Sequence, residues 1–196
     1  VAGSGFFGLV TGNWFAVIGV EFCCVGMDAE EIARIERGDI PIYEPGLDEM
    51  VIRKMEAGRL RFATDLSACL DGVEILFSAV GPPPAEHGSA DLRSVVDVAH
   101  RVVRDETDYL VVVTKSTVPV GTARTVKAAI QSDLVKRGEQ IDFDVSSNPE
   151  FLKEGIALAD FMRRDSVVVG LESKCSEALM QHINNPFMHH KYSILN

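Results

Sequence analysis

Short apolar runs alternate along this chain with longer stretches in which apolar residues recur every three or four positions. The runs read as buried strands and the periodic stretches as helices. Strands are predicted over 20–25, 60–63, 73–80, 109–114, 143–147 and 166–170. A first helix carries Leu9, Val10, Phe15, Ala16 and Ile18, and a second, capped by Asp28, carries Ile32 and Ile35 and ends near Gly38. Further helices run through Leu47, Met50, Val51 and Met55 to a stop at Gly58, over 91–104, from Ala123 through Leu134 to Gly138, and over 151–161 and 173–183. The prolines of Asp39–Gly46, and those of Gly81-Pro82-Pro83-Pro84, mark ordered loops that can continue neither a helix nor a ladder. Strands that alternate with helices in this way specify βαβ units, hence an α/β fold with a doubly wound, mostly parallel Rossmann-like sheet.

The chain opens on Gly3-Ser4-Gly5-Phe6-Phe7-Gly8. In such a loop the first glycine permits a tight turn, the second clears space for a pyrophosphate at a helix N-terminus, and the third brings helix and strand together. Only Val1 and Ala2 precede it, whereas a strand takes about five or six residues. The first strand is therefore expected to be truncated.

Length and charge narrow the partners. A chain of 196 residues builds one substantial core, so a single α/β domain is expected, with its main body over 1–170 and a connecting region beginning near 171. The net charge of −10 argues against nucleic acid and membrane surfaces, both of which call for clustered cations. A small-molecule partner follows, with Lys115, Lys153, Arg163 and Arg164 as candidates for a local cationic pocket. No apolar stretch reaches the roughly 18 residues of a membrane span and no basic leader is visible, so a cytoplasmic protein is expected. Cys23, Cys24, Cys69 and Cys175 lack C-x-x-C spacing and are read as reduced, largely buried thiols. Adjacent His189 and His190 offer no metal pattern, and no metal is expected.

Five motifs in order carry a resemblance: Gly3 to Leu9, Pro41-Ile42-Tyr43-Glu44-Pro45-Gly46-Leu47, Gly88-Ser89-Ala90-Asp91-Leu92, Thr114-Lys115-Ser116-Thr117-Val118-Pro119-Val120-Gly121-Thr122, and Ser147-Asn148-Pro149-Glu150-Phe151-Leu152-Lys153-Glu154-Gly155. The chain resembles the N-terminal NAD-binding half of the nucleotide-sugar 6-dehydrogenases, the UDP-glucose and GDP-mannose dehydrogenase family, and its Tyr43–Leu47 loop is closer to the UDP-glucose branch. Such enzymes oxidise a sugar C6 alcohol to a carboxylate with two NAD molecules, through a thioester on a cysteine. The resemblance implies that Thr117 helps to hold a catalytic water and that Glu150 does the acid–base work of the later hydrolysis. It implies that Glu154 lies near the nicotinamide ribose, while Glu150, Phe151, Leu152 and Lys153 border the UDP-sugar. NAD would sit on Gly3, Gly5, Phe6, Phe7, Gly8, Val80, Gly81 and Thr117, with Asp28 as the acid nearest its adenine ribose. Read without the resemblance, Glu150 and Glu154 are an i, i+4 pair of solvated helix acids, Lys115 is a surface lysine, and Thr122 is a helix cap.

Departures from the family pattern matter as well. An acid normally ends the second strand, about 20 residues after the glycines, but Gly26 stands there, and Asp28, two positions on, suits the helix N-cap. A glycine could make room for a 2'-phosphate, with Arg34 as the cation to meet it. Pro82, Arg164 and Asn13-Trp14 are also unusual for the family. The family's catalytic lysine and asparagine, its nucleophilic cysteine, and its central and C-terminal domains have no counterpart here. The chain alone is thus expected to bind NAD without turning over, and homo-oligomers are expected only of the full-length enzyme. The competing reading is a non-catalytic nucleotide-binding module of degenerate dehydrogenase fold. A short-chain reductase would need Tyr-x-x-x-Lys, which Tyr43, Tyr109 and Tyr192 all lack.

Overall fold

The computed structural model describes residues 1–81, 92–105, 108–150, 152–153, 155–162, 167–187 and 192–195. Strands β1 (Phe22–Val25), β2 (Leu60–Ala63), β3 (Ile75–Ser78), β4 (Leu110–Thr114), β5 (Phe143–Ser147), β6 (Val167–Gly170) and β7 (Tyr192–Leu195) alternate with helices α1 (Phe6–Val17), α2 (Ala29–Glu36), α3 (Leu47–Glu56), α4 (Arg93–Asp105), α5 (Thr122–Arg137), α6 (Ala157–Met162) and α7 (Lys174–Asn184). β1 pairs with β2, and β3 to β7 form a second ladder in chain order. Ala2 joins the two ladders, bridging Val25 on one side and Ser78 on the other, parallel to both. Around this seat the order is β2, β1, Ala2, β3, β4, β5, the arrangement of a doubly wound dinucleotide-binding sheet. All strand pairs are parallel except β5 with β6, which meet antiparallel at Ser147 and Gly170.

Ala2 occupies the place of a strand between β1 and β3. Beneath Val1, a cavity of about 340 Å³ opens between Phe22 and Cys23 on one side and Ile75 and Phe77 on the other. β4 is buried along its whole length, which is why it reads as a continuous apolar run. Its alternate residues serve different cores. Val111 and Val113 pack with Leu9, Val10, Trp14 and Phe15 of α1. Leu110 and Val112 face Val98, Ala99 and Val102 of α4 and Val126, Ile130 and Leu134 of α5. Gly138 ends α5 in the left-handed conformation, with φ of 72°, where a glycine is unstrained.

Two expectations are corrected. The helix predicted over 151–161 begins only at Ala157, after Gly155 at φ +85°, a value that interrupts a right-handed helix. After β6 the chain forms α7 and then β7, which pairs with β6 from Val167↔Tyr192 to Gly170↔Leu195. The cysteines are not all reduced: Cys23 of β1 is disulfide-bonded to Cys69, on a 3-10 turn 46 residues later. Local spacing says nothing of such a pair, because the β1–β2 crossover lies between its members. Cys24 is buried, whereas Cys175 is exposed rather than buried.

Candidate functional site

The glycine loop lies at the C-terminal ends of β1 and β3, where the order of the sheet reverses and ligands of open α/β sheets collect. Gly3 turns at φ +123° and a side chain there would press on the Ala79 carbonyl, while a Cβ on Gly8 would run into the Gly3 carbonyl oxygen. Gly5 is different: nothing lies within 4 Å of where its Cβ would be, and as N-cap of α1 it supplies no side chain to the helix's first N–H groups. A bare helix N-terminus under an open glycine suits a pyrophosphate, which the positive end of the helix dipole attracts. The residues present therefore fit a dinucleotide. Phe6 is half-buried, and the main chain of Phe7 begins the same helix turn. Because the obstacle at Gly8 is main chain, Gly8→Ala is expected to cost more than about 2 kcal/mol of stability, and titration is expected to show NAD affinity falling at least tenfold.

Val80 and Gly81 leave β3 beside this loop. The Val80 carbonyl accepts a hydrogen bond from Ser116 Oγ at 2.9 Å, which ties the β3 exit to the β4 exit. Thr117 follows with its side chain exposed. Thr122 begins α5, is buried, and donates its hydroxyl to the Pro119 carbonyl at 2.7 Å. Asp28 is the N-cap of α2 and accepts from the main-chain N–H groups of Glu30 and Glu31 at 2.9 and 3.1 Å. Arg34 is engaged by Asp39 at 2.7 Å.

The tips of β4 and β5 bring two buried charged side chains together. Lys115, just beyond β4, is only 1% exposed, and its ammonium lies 2.6 Å from Glu150 Oε2. It also donates to Asn148 Oδ1 at 3.2 Å and sits 5.7 Å from the centre of the Phe77 ring. Asn148 is itself fixed, donating its side-chain amide to the Val168 carbonyl at 3.0 Å. Glu150 is therefore no solvated helix acid: it lies before α6 and is 6% exposed in its side chain. Lys115 is likewise no surface lysine. The pair thus fixes a buried carboxylate and a buried ammonium at the C-terminal end of the sheet.

Beyond Glu150, Leu152 is half-buried and Lys153 exposed. Phe151 and Glu154 lie outside the described residues, as do Pro82, Gly88–Asp91, Arg163, Arg164, His189 and His190. The segment is anchored by a residue that the sequence reading treats only as part of a motif. Glu44, from the proline-rich loop before α3, is 5% exposed and accepts from the main-chain N–H groups of Gly155 at 2.8 Å and Leu158 at 3.1 Å. Its motif was visible, but the partners lie more than a hundred residues away.

Burial pushes the Cys24 thiol up to about 11, so it stays protonated at neutral pH and cannot act as a thiolate nucleophile. Among the described residues, no group of three His, Cys, Asp or Glu side chains is placed to hold a metal ion. No helix among them is long and apolar enough to cross a membrane.

The profile described as "UDP-glucose/GDP-mannose dehydrogenase family, NAD binding domain" matches residues 1–188. A UDP-glucose 6-dehydrogenase of Pseudomonas aeruginosa is 43% identical over 196 residues, which is 100% of this chain and 43% of that protein. One from Bacillus subtilis is 39% identical over 95% of this chain and 40% of its own length. The structure of a UDP-glucose dehydrogenase from Pyrobaculum islandicum superposes with a TM-score of 0.92 at 34% identity, covering all of this chain and 45% of that one. A ternary complex of GDP-mannose dehydrogenase from Pseudomonas aeruginosa gives 0.87 at 29% identity, over 99% and 44% of the two chains. The chain spans less than half the length of these relatives, and it belongs to the UDP-glucose/GDP-mannose dehydrogenase family as an NAD-binding domain.

Proposed function

We propose that this chain is the cofactor-binding half of an enzyme that oxidises UDP-glucose to UDP-glucuronate in two NAD-dependent steps, and that alone it binds NAD without turning over. The observation that carries the reading is the buried Lys115–Glu150 pair at the strand tips, beside a glycine loop open to a pyrophosphate. Gly3, Gly5 and Gly8, the N–H groups of Phe6 and Phe7, and the exits at Val80 and Gly81 would hold NAD, which supplies the hydride acceptor. Thr117 would orient a water through its exposed hydroxyl. Glu150 would exchange a proton with that water or the sugar, and Lys115 would hold its carboxylate in place. Glu154 would border the nicotinamide ribose, and Phe151, Leu152 and Lys153 the UDP-sugar, chiefly through main-chain groups.

On this reading homo-oligomers form through the full-length enzyme, and its soluble small-molecule substrates support a cytoplasmic location. In a reducing compartment Cys23 and Cys69 would stand as neighbouring thiols. Gly26, in place of the ribose acid, favours a second reading, a nucleotide-binding module without catalysis. Calorimetric titration of the folded chain with NAD tests the first reading. Saturable one-to-one binding is expected, and a flat titration would overturn it, as would sustained NADH formation by this chain alone with UDP-glucose. For the second reading, the longer protein containing this segment would bind NAD yet leave UDP-glucose unoxidised.

A further inference from the structure

Gly26 follows β1 and is buried, its N–H donating to the Ala63 carbonyl at 3.0 Å. A Cβ built on it would lie 2.5 Å from Ser4 Oγ, 2.7 Å from Ser4 Cβ and 2.8 Å from Ile32 Cδ1. These approaches are too close for an added carbon, so no acidic side chain can leave this position while Ser4 stays as it is. Ser4 belongs to the glycine loop itself, and its hydroxyl reaches over the tip of β1 into the space from which a ribose-binding carboxylate would otherwise rise. Gly3 fixes that reach by donating its N–H to the Val25 carbonyl at 2.8 Å.

We propose that Ser4 is the adenine-ribose ligand of this site, replacing the usual strand-end carboxylate with a neutral hydroxyl. This rests on the NAD reading above. The nearby acid, Asp28, stands two residues beyond Gly26 and caps α2 through Oδ1. The nearby cation does not redirect the site toward a 2'-phosphate, because Arg34 lies in the last turn of α2 and is paired with Asp39. A hydroxyl both donates and accepts, so it serves a ribose hydroxyl. It also lacks the charge by which a carboxylate rejects a 2'-phosphate. The site is therefore weakly discriminating: it takes NAD, and it takes NADP with an affinity within about tenfold of that.

Titration of the folded chain with NAD and NADP in turn, for the parent, Ser4→Ala and the paired Ser4→Gly/Gly26→Asp variant, tests this. Ser4→Ala is expected to weaken NAD about 3- to 10-fold, the range of one neutral hydrogen bond. The paired variant removes the Ser4 part of the obstruction, leaves only the flexible end of Ile32 to shift, and restores the acid; its preference for NAD over NADP is expected to rise at least tenfold. Thermal unfolding checks that each variant is folded. Unchanged NAD affinity in folded Ser4→Ala would overturn the role of Ser4 while leaving the NAD reading intact, as would a parent that rejects NADP more than a hundredfold. A folded parent that binds neither nucleotide would overturn both.

Discussion

Replacing Lys115 with methionine is expected to destabilise the folded chain by about 3–5 kcal/mol, the cost of leaving one member of a buried ion pair without the other. Methionine fills the space of the lysine stem, so packing beside Phe77 is largely kept and the loss reports on charge. The ammonium lies 2.6 Å from Glu150 Oε2, with the two side chains 1% and 6% exposed. Water cannot replace it at that depth. Two further features make the pair a designed unit. The lysine donates to Asn148, and Asn148 donates onward to the Val168 carbonyl, so the carboxylate is positioned from both β4 and the β5–β6 side. Glu150→Gln in the same background removes the stranded charge, and the double variant Lys115→Met/Glu150→Gln is expected to recover about half of the loss. Urea unfolding of the four proteins in a double-mutant cycle measures the coupling. A single-variant loss below about 1 kcal/mol, or an equal loss with and without Glu150, would show that the pair does not hold this end of the sheet.

Much of this architecture is legible from local pattern, and the remainder depends on partners that no local pattern contains. β4 is a run of apolar residues because both of its faces are covered, and α5 ends at Gly138 because a left-handed residue is needed there. Such constraints act within a few residues and leave a local trace. Lys115 shows the opposite case. Its residue type suggests the surface, and neighbours across the sheet, 33 and 35 residues further on, make its burial possible. The expected helix over 151–161 fails for a related reason. Apolar residues recur at helical spacing there, but Gly155 turns at φ +85° so that its N–H can meet Glu44. A distant carboxylate thus overrides local periodicity. Cys23 and Cys69 also meet only once the β1–β2 crossover has folded.

The same long-range logic predicts the consequence of removing Glu44. Glu44→Ala is expected to cost about 2–4 kcal/mol, because two main-chain N–H groups lose a charged acceptor. Those groups belong to Gly155 and to Leu158 in the first turn of α6. The carboxylate thereby acts as a cap supplied from the loop before α3, and it also compensates the positive end of that short helix. Its loss frees both partners, the loop that it leaves and the segment after Glu150 that carries Lys153. Glu44→Gln keeps one acceptor oxygen and the same length, so it is expected to lose less than half as much. Thermal and urea unfolding of the two variants separate a capping role from simple burial, since burial alone would make glutamine nearly neutral and alanine only modestly worse. Hydrogen exchange provides the local reading. The Gly155 and Leu158 amides are expected to lose protection in Glu44→Ala while those of β4 keep theirs, and unchanged protection at both would show that Glu44 does not anchor the segment.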